Sequence, residues 1–270
     1  MGHTIVLAHG VLGFGDRSGP WNPIHYFNGV KKYLEGLGHR VLVPEVSATG
    51  TIIDRGNDLA SQILRAVSKD EKVHIIAHSM GGLDARHAIT NVFKSPKPVA
   101  TLITIGTPHR GSPVADAIET NTGPLVALIP PFILAALELR KNAGALHDLT
   151  TAGGREFDAR TPDVEHVRYI QVAGNAARGG KELILFKLAD AIADLKGEIN
   201  DGVVTRSSAL RLPDLSIGPE EHENLDDWPG DHAAEVGWTL PSFGSVLSRV
   251  LFQTPPHLKR YKELVAMLKP

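Results

Sequence analysis

A chain of 270 residues that is 42% hydrophobic, with a formal net charge of −2, can bury one large α/β core and lacks the basic surplus of an electrostatic nucleic-acid binder. It has no cysteine, which excludes disulfides, thiolate metal sites and cysteine nucleophiles. Its longest apolar stretch, Leu125 to Leu137, is interrupted by Pro130-Pro131 and is shorter than the ~20 residues of a membrane-spanning helix.

Residues 1–10 carry no basic segment ahead of an apolar one. The expectation is a cytoplasmic protein, or a secreted one whose leader is missing from this sequence. Thr4–Ala8 is a short β-branched and apolar run, as expected of a strand buried on both faces. A helix is expected from Asn22-Pro23, with Ile24, Phe27, Val30, Leu34 and Leu37 at helical spacing and Gly38 as C-terminal cap. Arg40–Val43 reads as the next strand and Asp54–Ser68 as the next helix. Lys72–Ala77 is a third strand, the segment after Met80 a third helix, and Val99–Ile105 a fourth strand. Later strands are expected at Val167–Val172 and near Val203-Val204, with about sixty residues of little strand character between them. Alternation of strand and helix predicts a mostly parallel central sheet flanked by helices on both faces, in one domain spanning 1–270.

Between the third strand and third helix stands A-H-S-M-G-G, residues 77–82. A serine on a tight strand-to-helix turn projects its Oγ from the sheet edge, and small neighbours let the backbone adopt the strained turn. The following helix directs its positive dipole end at charge developing there. Ser79 is therefore the candidate nucleophile, against the plainer reading of an ordinary turn or N-cap serine. Ala77 stands where a glycine is more usual.

The chain resembles the bacterial and fungal triacylglycerol lipases of the α/β-hydrolase superfamily. The likeness lies in V-L-A-H-G-V-L-G-F-G at 6–15, A-H-S-M-G-G-L-D-A-R at 77–86, I-G-T-P-H-R-G-S at 105–112, N-D-G-V-V at 200–204 and D-H at 231–232, in the family's order. It implies an α/β-hydrolase fold and a serine hydrolase acting on carboxylic esters with apolar acyl chains. It also implies oxyanion donors at the Met80 and Val11 backbone N–H groups, the second from the loop His9-Gly10-Val11. The fold's order of serine, acid, histidine is met by Asp201 in the N-D-G turn. Aspartate before glycine is also a favoured turn residue in its own right, and Asp190 and Asp194 are weaker candidates. For the base the resemblance favours His232, with His222 and His257 as alternatives. Expected substrate contacts are Gly10, Leu12, His78, Leu128 and Phe132.

Residues 124–139 are apolar around almost the whole circumference, and Leu185, Leu188, Ala189, Ile192 and Leu195 form a second stripe. Both fit ordinary core helices. Both also fit a lid or acyl-binding cap inserted at about 112–165, with a second piece at 178–198. No cofactor is expected. Ala234 stands where some related secreted lipases carry a calcium-binding aspartate, and no H-E-x-x-H motif is present, so no metal is expected. The expected partner is a small ester or lipid substrate, met at a lipid–water interface. Two alternatives remain open at this stage: an acyltransferase using the same triad, and a non-catalytic lipid-binding relative.

Overall fold

A strand covered by helices on both sides has no solvent face, so its sequence is continuously apolar and its two residue sets enter two different cores. Thr4–Ala8 (β1) illustrates this: Ile5 and Leu7 join one core, Val6 and Ala8 the other. The computed structural model describes residues 2–11, 26–93, 98–121, 123, 125–143, 145–179, 184–212, 223–239 and 254–269. The other strands are Arg40–Leu42 (β2), Val73–His78 (β3), Val99–Ile105 (β4), Arg168–Val172 (β5) and the two-residue pieces Gly174-Asn175 (β6), Glu223-Asn224 (β7) and Trp228-Pro229 (β8). The main sheet runs β2-β1-β3-β4-β5-β7 with every pairing parallel, and β6 pairs with β8.

Helices cover both faces. Val30–Gly36 (α1) and Pro256–Ala266 (α9) bring Val30, Leu34, Tyr261, Leu264 and Val265 onto Ile5, Leu7, Ile76 and Ile170. Ile52–Ala66 (α2) and Met80–His87 (α3) bring Leu59, Ile63, Ala85 and, just beyond α3, Ile89 onto Val6, Ile75 and Leu102. Between β4 and β5 lie Pro113–Thr120 (α4), Pro131–Asn142 (α5) and Thr151–Arg160 (α6); beyond β6 come Phe186–Lys196 (α7) and Arg206–Ala209 (α8). A third apolar cluster joins Val114 and Ile118 of α4, Leu137 of α5, Leu188 and Ile192 of α7, Leu125 and Ile129 to Met80 and Leu83. The apolar stretches thus form a layer with its own core, seated on the start of α3. Among the described residues no helix is long and apolar enough to cross a membrane.

The strands foreseen at 4–8 and 99–105 have those bounds, and the next ones shift by a residue. Three expectations need correction. Within the described residues, the first helix begins at Val30, after Gly29 at φ 75°, and Phe27 lies in the turn before it; Gly38 does adopt a left-handed conformation past its end, φ 91°. Val203-Val204 is not a strand, because the Asp201 carboxylate takes up both backbone N–H groups in a turn. Leu195 points to solvent, 56% exposed, while Leu185, Leu188, Ala189 and Ile192 are buried.

One ion cluster ties the added layer to the sheet. Buried Asp158 on α6 accepts from Arg86 of α3 at 2.8 Å and pairs with Arg211 at 2.8 Å. Removing the shared anion takes a buried counter-charge from both guanidinium groups and leaves them sharing Asp163. Asp158→Ala is expected to cost about 3–5 kcal/mol, read as a lowered midpoint of denaturant unfolding.

Candidate active site

Where the chain order of a parallel sheet reverses, the connections from two neighbouring strands diverge and leave a crevice at their C-terminal ends. Here β2 lies to one side of β1 and β3 to the other, so the reversal falls between the ends of β1 and β3. His9-Gly10 leaves β1 at that edge, and Ser79 leaves β3 beside it.

Ser79 has φ 57° and ψ −137°, a backbone conformation rare for a residue with a Cβ and a cost of about 1–3 kcal/mol. Its N–H donates to the Ile105 carbonyl at 2.9 Å, which fastens the turn to β4. The turn fits only because its surroundings are small. A Cβ on Gly81 would lie 2.4 Å from the Ala8 carbonyl oxygen, and one on Gly82 would lie 2.2 Å from Thr107 Oγ1. One on Gly10 would lie 2.7 Å from Ser79 Cβ and 3.0 Å from its Oγ, so the β1 loop touches the serine through a bare backbone. Met80 opens α3, and its N–H is among those with no acceptor inside the helix.

Buried Arg55 of α2 holds the β1 loop. Its Nη2 donates to the His9 carbonyl at 2.9 Å, its Nη1 to the Ser47 carbonyl at 2.6 Å, and its Nε to Asp84 at 2.9 Å. Burial pushes His9 down to about 4, so the ring is neutral near pH 7. Its Nε2 accepts from the Val46 N–H at 3.4 Å, and Nδ1–H is left to donate to the Gly10 carbonyl at 3.0 Å.

Asp201 sits in a turn closed by Gly202 at φ 90°. One carboxylate oxygen accepts from the Val203 and Val204 N–H groups at 2.8 and 2.7 Å, and the other accepts from His232 Nδ1 at 2.7 Å. The His232 N–H in turn donates to the Asp201 carbonyl at 2.8 Å. Donation from Nδ1 to Asp201 fixes the orientation of the ring. The His232 ring lies 4.5 Å from that of His78, the residue before Ser79. Neighbouring Asp231 stabilises the same loop, accepting from the Leu185 and Ala234 N–H groups at 2.7 and 2.8 Å.

The structure therefore gathers Ser79, Gly10, His78, Met80, Asp201 and His232 at one sheet edge, with Val11 following Gly10. Leu128 points outward at 38% exposed; Leu125 and Ile129 make the apolar contact towards Met80 instead. Leu12, His222 and the Phe132 side chain lie outside the described residues. His257 is engaged elsewhere, its Nε2 bonded to the Asn28 carbonyl at 2.8 Å. Asp190 and Asp194 lie on α7, away from His232's hydrogen bonds. Reading the sequence alone missed Arg55, Tyr26 and Glu235. Glu235 alone carried a signal, since it stands three residues after His232 on a helical turn. It approaches His78 Nε2 at 2.8 Å and His232 Nδ1 at 3.5 Å. Among the described residues His78, His232 and Glu235 are also the one group whose ligand-type atoms, all within 4.8 Å, could hold a metal. Those atoms already share protons with one another and with Asp201.

Residues 51–174 match the model of the PGAP1-like alpha/beta domain family. The chain is 33% identical over 221 residues to triacylglycerol lipase 2 of Saccharomyces cerevisiae, covering 76% of this chain and 65% of that protein. It is 33% identical over 177 residues to a triacylglycerol lipase of Vibrio cholerae, covering 60% and 54%. The crystal structure of a Bacillus licheniformis lipase in mature form superposes with a TM-score of 0.68 over 93% of this chain and 90% of that one, at 24% identity. The chain has the α/β-hydrolase fold. It spans slightly less than two thirds of the yeast protein's length and about half of the Vibrio protein's.

Two outcomes follow from this geometry. Gly10→Ala drives a methyl group into Ser79, and it is expected to slow covalent modification of Ser79 by a fluorophosphonate about 10²-fold. Its thermal unfolding midpoint should fall far less than that of Asp158→Ala. Burial also holds His74 at about 4, like His9, against 6.5 in the unfolded chain. The stability that depends on these neutral rings is complete above pH 6.5 and is lost as pH falls towards 4. Urea midpoints measured across that window should decline, and His74→Gln should flatten the decline.

Proposed function

We propose that the protein is a serine-dependent carboxylic ester hydrolase of lipase or esterase type. The observation that carries this reading is the pairing of a strained serine at the sheet's reversal point with an Asp201–His232 hydrogen bond beside it. Similarity to proteins named triacylglycerol lipase supports the same assignment.

In this reading His232 Nε2 takes the Ser79 proton as Oγ attacks the ester carbonyl. The resulting oxyanion is stabilised by the Met80 and Val11 N–H groups. His232, now an imidazolium held by the Asp201 carboxylate, protonates the leaving alcohol and so completes the acyl-enzyme. A water deprotonated by His232 then releases the acid. Arg55 and neutral His9 contribute by keeping the Gly10 carbonyl turned away, so that the loop presents N–H groups to the site. The acyl chain lies against the apolar layer of α4, α5 and α7, which acts as the cap over Met80. An apolar face of this kind favours esters with hydrophobic acyl groups.

Labelling with a fluorophosphonate tests the assignment: the wild type should react and Ser79→Ala should not, and an unlabelled wild type would overturn it. Asp201→Asn should reduce kcat by about 10⁴, measured on a p-nitrophenyl ester. Across acyl lengths, octanoate should be preferred to acetate; the reverse order would remove the cap from the acyl site. Added alcohols should leave free acid as the main product, since ester formation in its place would mark an acyltransferase.

A further inference from the structure

The environment of His232 contains more acid than one triad uses. Asp201 and Glu235 both lie within reach of one imidazole, and Asp231 precedes it in the chain. Asp201 Oδ2 is 2.7 Å and Glu235 Oε2 3.5 Å from the same Nδ1, which has a single N–H to donate. Asp231 is occupied with two backbone N–H groups. Glu235 is 1% exposed, and its Oε1 has no hydrogen-bond partner among the described residues. Its carboxyl group sits against bare backbone. A Cβ on Gly106 would lie 2.3 Å from Oε2, and one on Gly174 would lie 2.3 Å from Oε1. A buried carboxylate with one oxygen unpartnered and two other anions nearby is a poor place for a third charge.

We propose that Glu235 is a positioning residue acting as a neutral carboxylic acid. Its Oε2–H donates to His78 Nε2 and fixes the ring on which His232 lies, while its lack of charge leaves Asp201 as the one anion bonded to His232. The inference rests on the reading of His232 as the base. With Nε2 accepting, His78 Nδ1–H donates to the Tyr26 hydroxyl at 2.6 Å. That hydroxyl oxygen would be 2.6 Å from a Cβ on Gly10. The chain Glu235–His78–Tyr26 therefore runs beneath the serine, from the His232 loop to the Gly10 loop, and spaces the two sides of the site.

Several groups face Glu235. His78 ends β3, Tyr26 precedes α1, Asp201 belongs to its own turn, Asp231 and His232 share the Glu235 loop, and Arg260 and Tyr261 lie on α9. Burial, then Asp201 and Asp231, push Glu235 well above the usual carboxylate range, with Arg260 opposing. Burial, then His232, holds His78 well below the usual imidazole range. Both shifts favour the neutral forms that the proposal requires. When Glu235 ionises, a second anion appears beside His232. The His78 ring must then switch tautomer to donate from Nε2, which reverses its bond to Tyr26.

The test combines infrared difference spectra with kinetics. Wild type at neutral pH should show a protonated-carboxyl C=O stretch that Glu235→Gln lacks, and the band should vanish where an alkaline decline in kcat/KM sets in. Glu235→Ala should lower kcat by about tenfold while changing KM by less than about twofold. Glu235→Gln, a neutral amide that can still donate to His78, should recover most of that loss and lose the alkaline decline. A Gln variant as impaired as the Ala variant would overturn the proposal, as would a band that persists in the Gln variant or is missing from wild type. If Glu235→Ala fails to fold, the wild-type and Gln spectra decide. Fluorophosphonate labelling separates the two readings: an unlabelled wild type defeats the hydrolase assignment, whereas a missing band defeats the role of Glu235.

Discussion

The close approach of the β1 and β3 ends is the constraint on which the site depends. A serine in a left-handed turn is stable only if the structure around it supplies more than the local strain costs. Here that supply comes from β3 at the middle of a parallel sheet, paired on both sides, and from glycines that let backbone meet backbone at positions 10, 81 and 82. A methyl group at any of these would collide with the serine, the β1 carbonyl or Thr107. The consequence is that Ser79 meets the bare Gly10 backbone on one side and the start of α3 on the other.

Electrostatics at this edge follow from burial. Arg55 neutralises Asp84 and grips the β1 loop through carbonyls, so a buried cation stabilises backbone geometry without placing a free charge near the serine. On the other side, the Asp201 carboxylate accepts three hydrogen bonds, from the Val203 and Val204 N–H groups and from His232 Nδ1. Glu235 has a partner for one oxygen only. Burial with few donors favours the neutral form of Glu235. Burial likewise favours the neutral rings of His9 and His78.

The added layer between β4 and β5, together with α7, has a core distinct from the two that sandwich the sheet. It is tied to α3 by apolar contact at Met80 and Leu83 and by the Asp158 ion cluster. The strands that present Ser79 and the β1 loop are held by the other two cores.

The parallel sheet was legible in the residues because strands buried on both faces must be continuously apolar, and crossover helices must carry one apolar stripe. Ser79 stood out as a candidate because only small residues can surround that turn; Asp201 and His232 were expected from motif order and family resemblance, and they form a hydrogen-bonded pair. Val203-Val204 misled for a physical reason: its β-branched side chains suit a strand, but the Asp201 carboxylate competes for its N–H groups and wins. Leu195 misled because a helical stripe shows which residues share a face and not how far along the helix burial extends. Only the tertiary structure could bring Arg55 to the β1 loop, or place Tyr26, His78 and Glu235 in one chain across 209 residues of sequence separating Tyr26 from Glu235. Local propensity determines which segments are strands, helices and tight turns; which buried acid keeps its proton is decided by neighbours that the fold alone supplies.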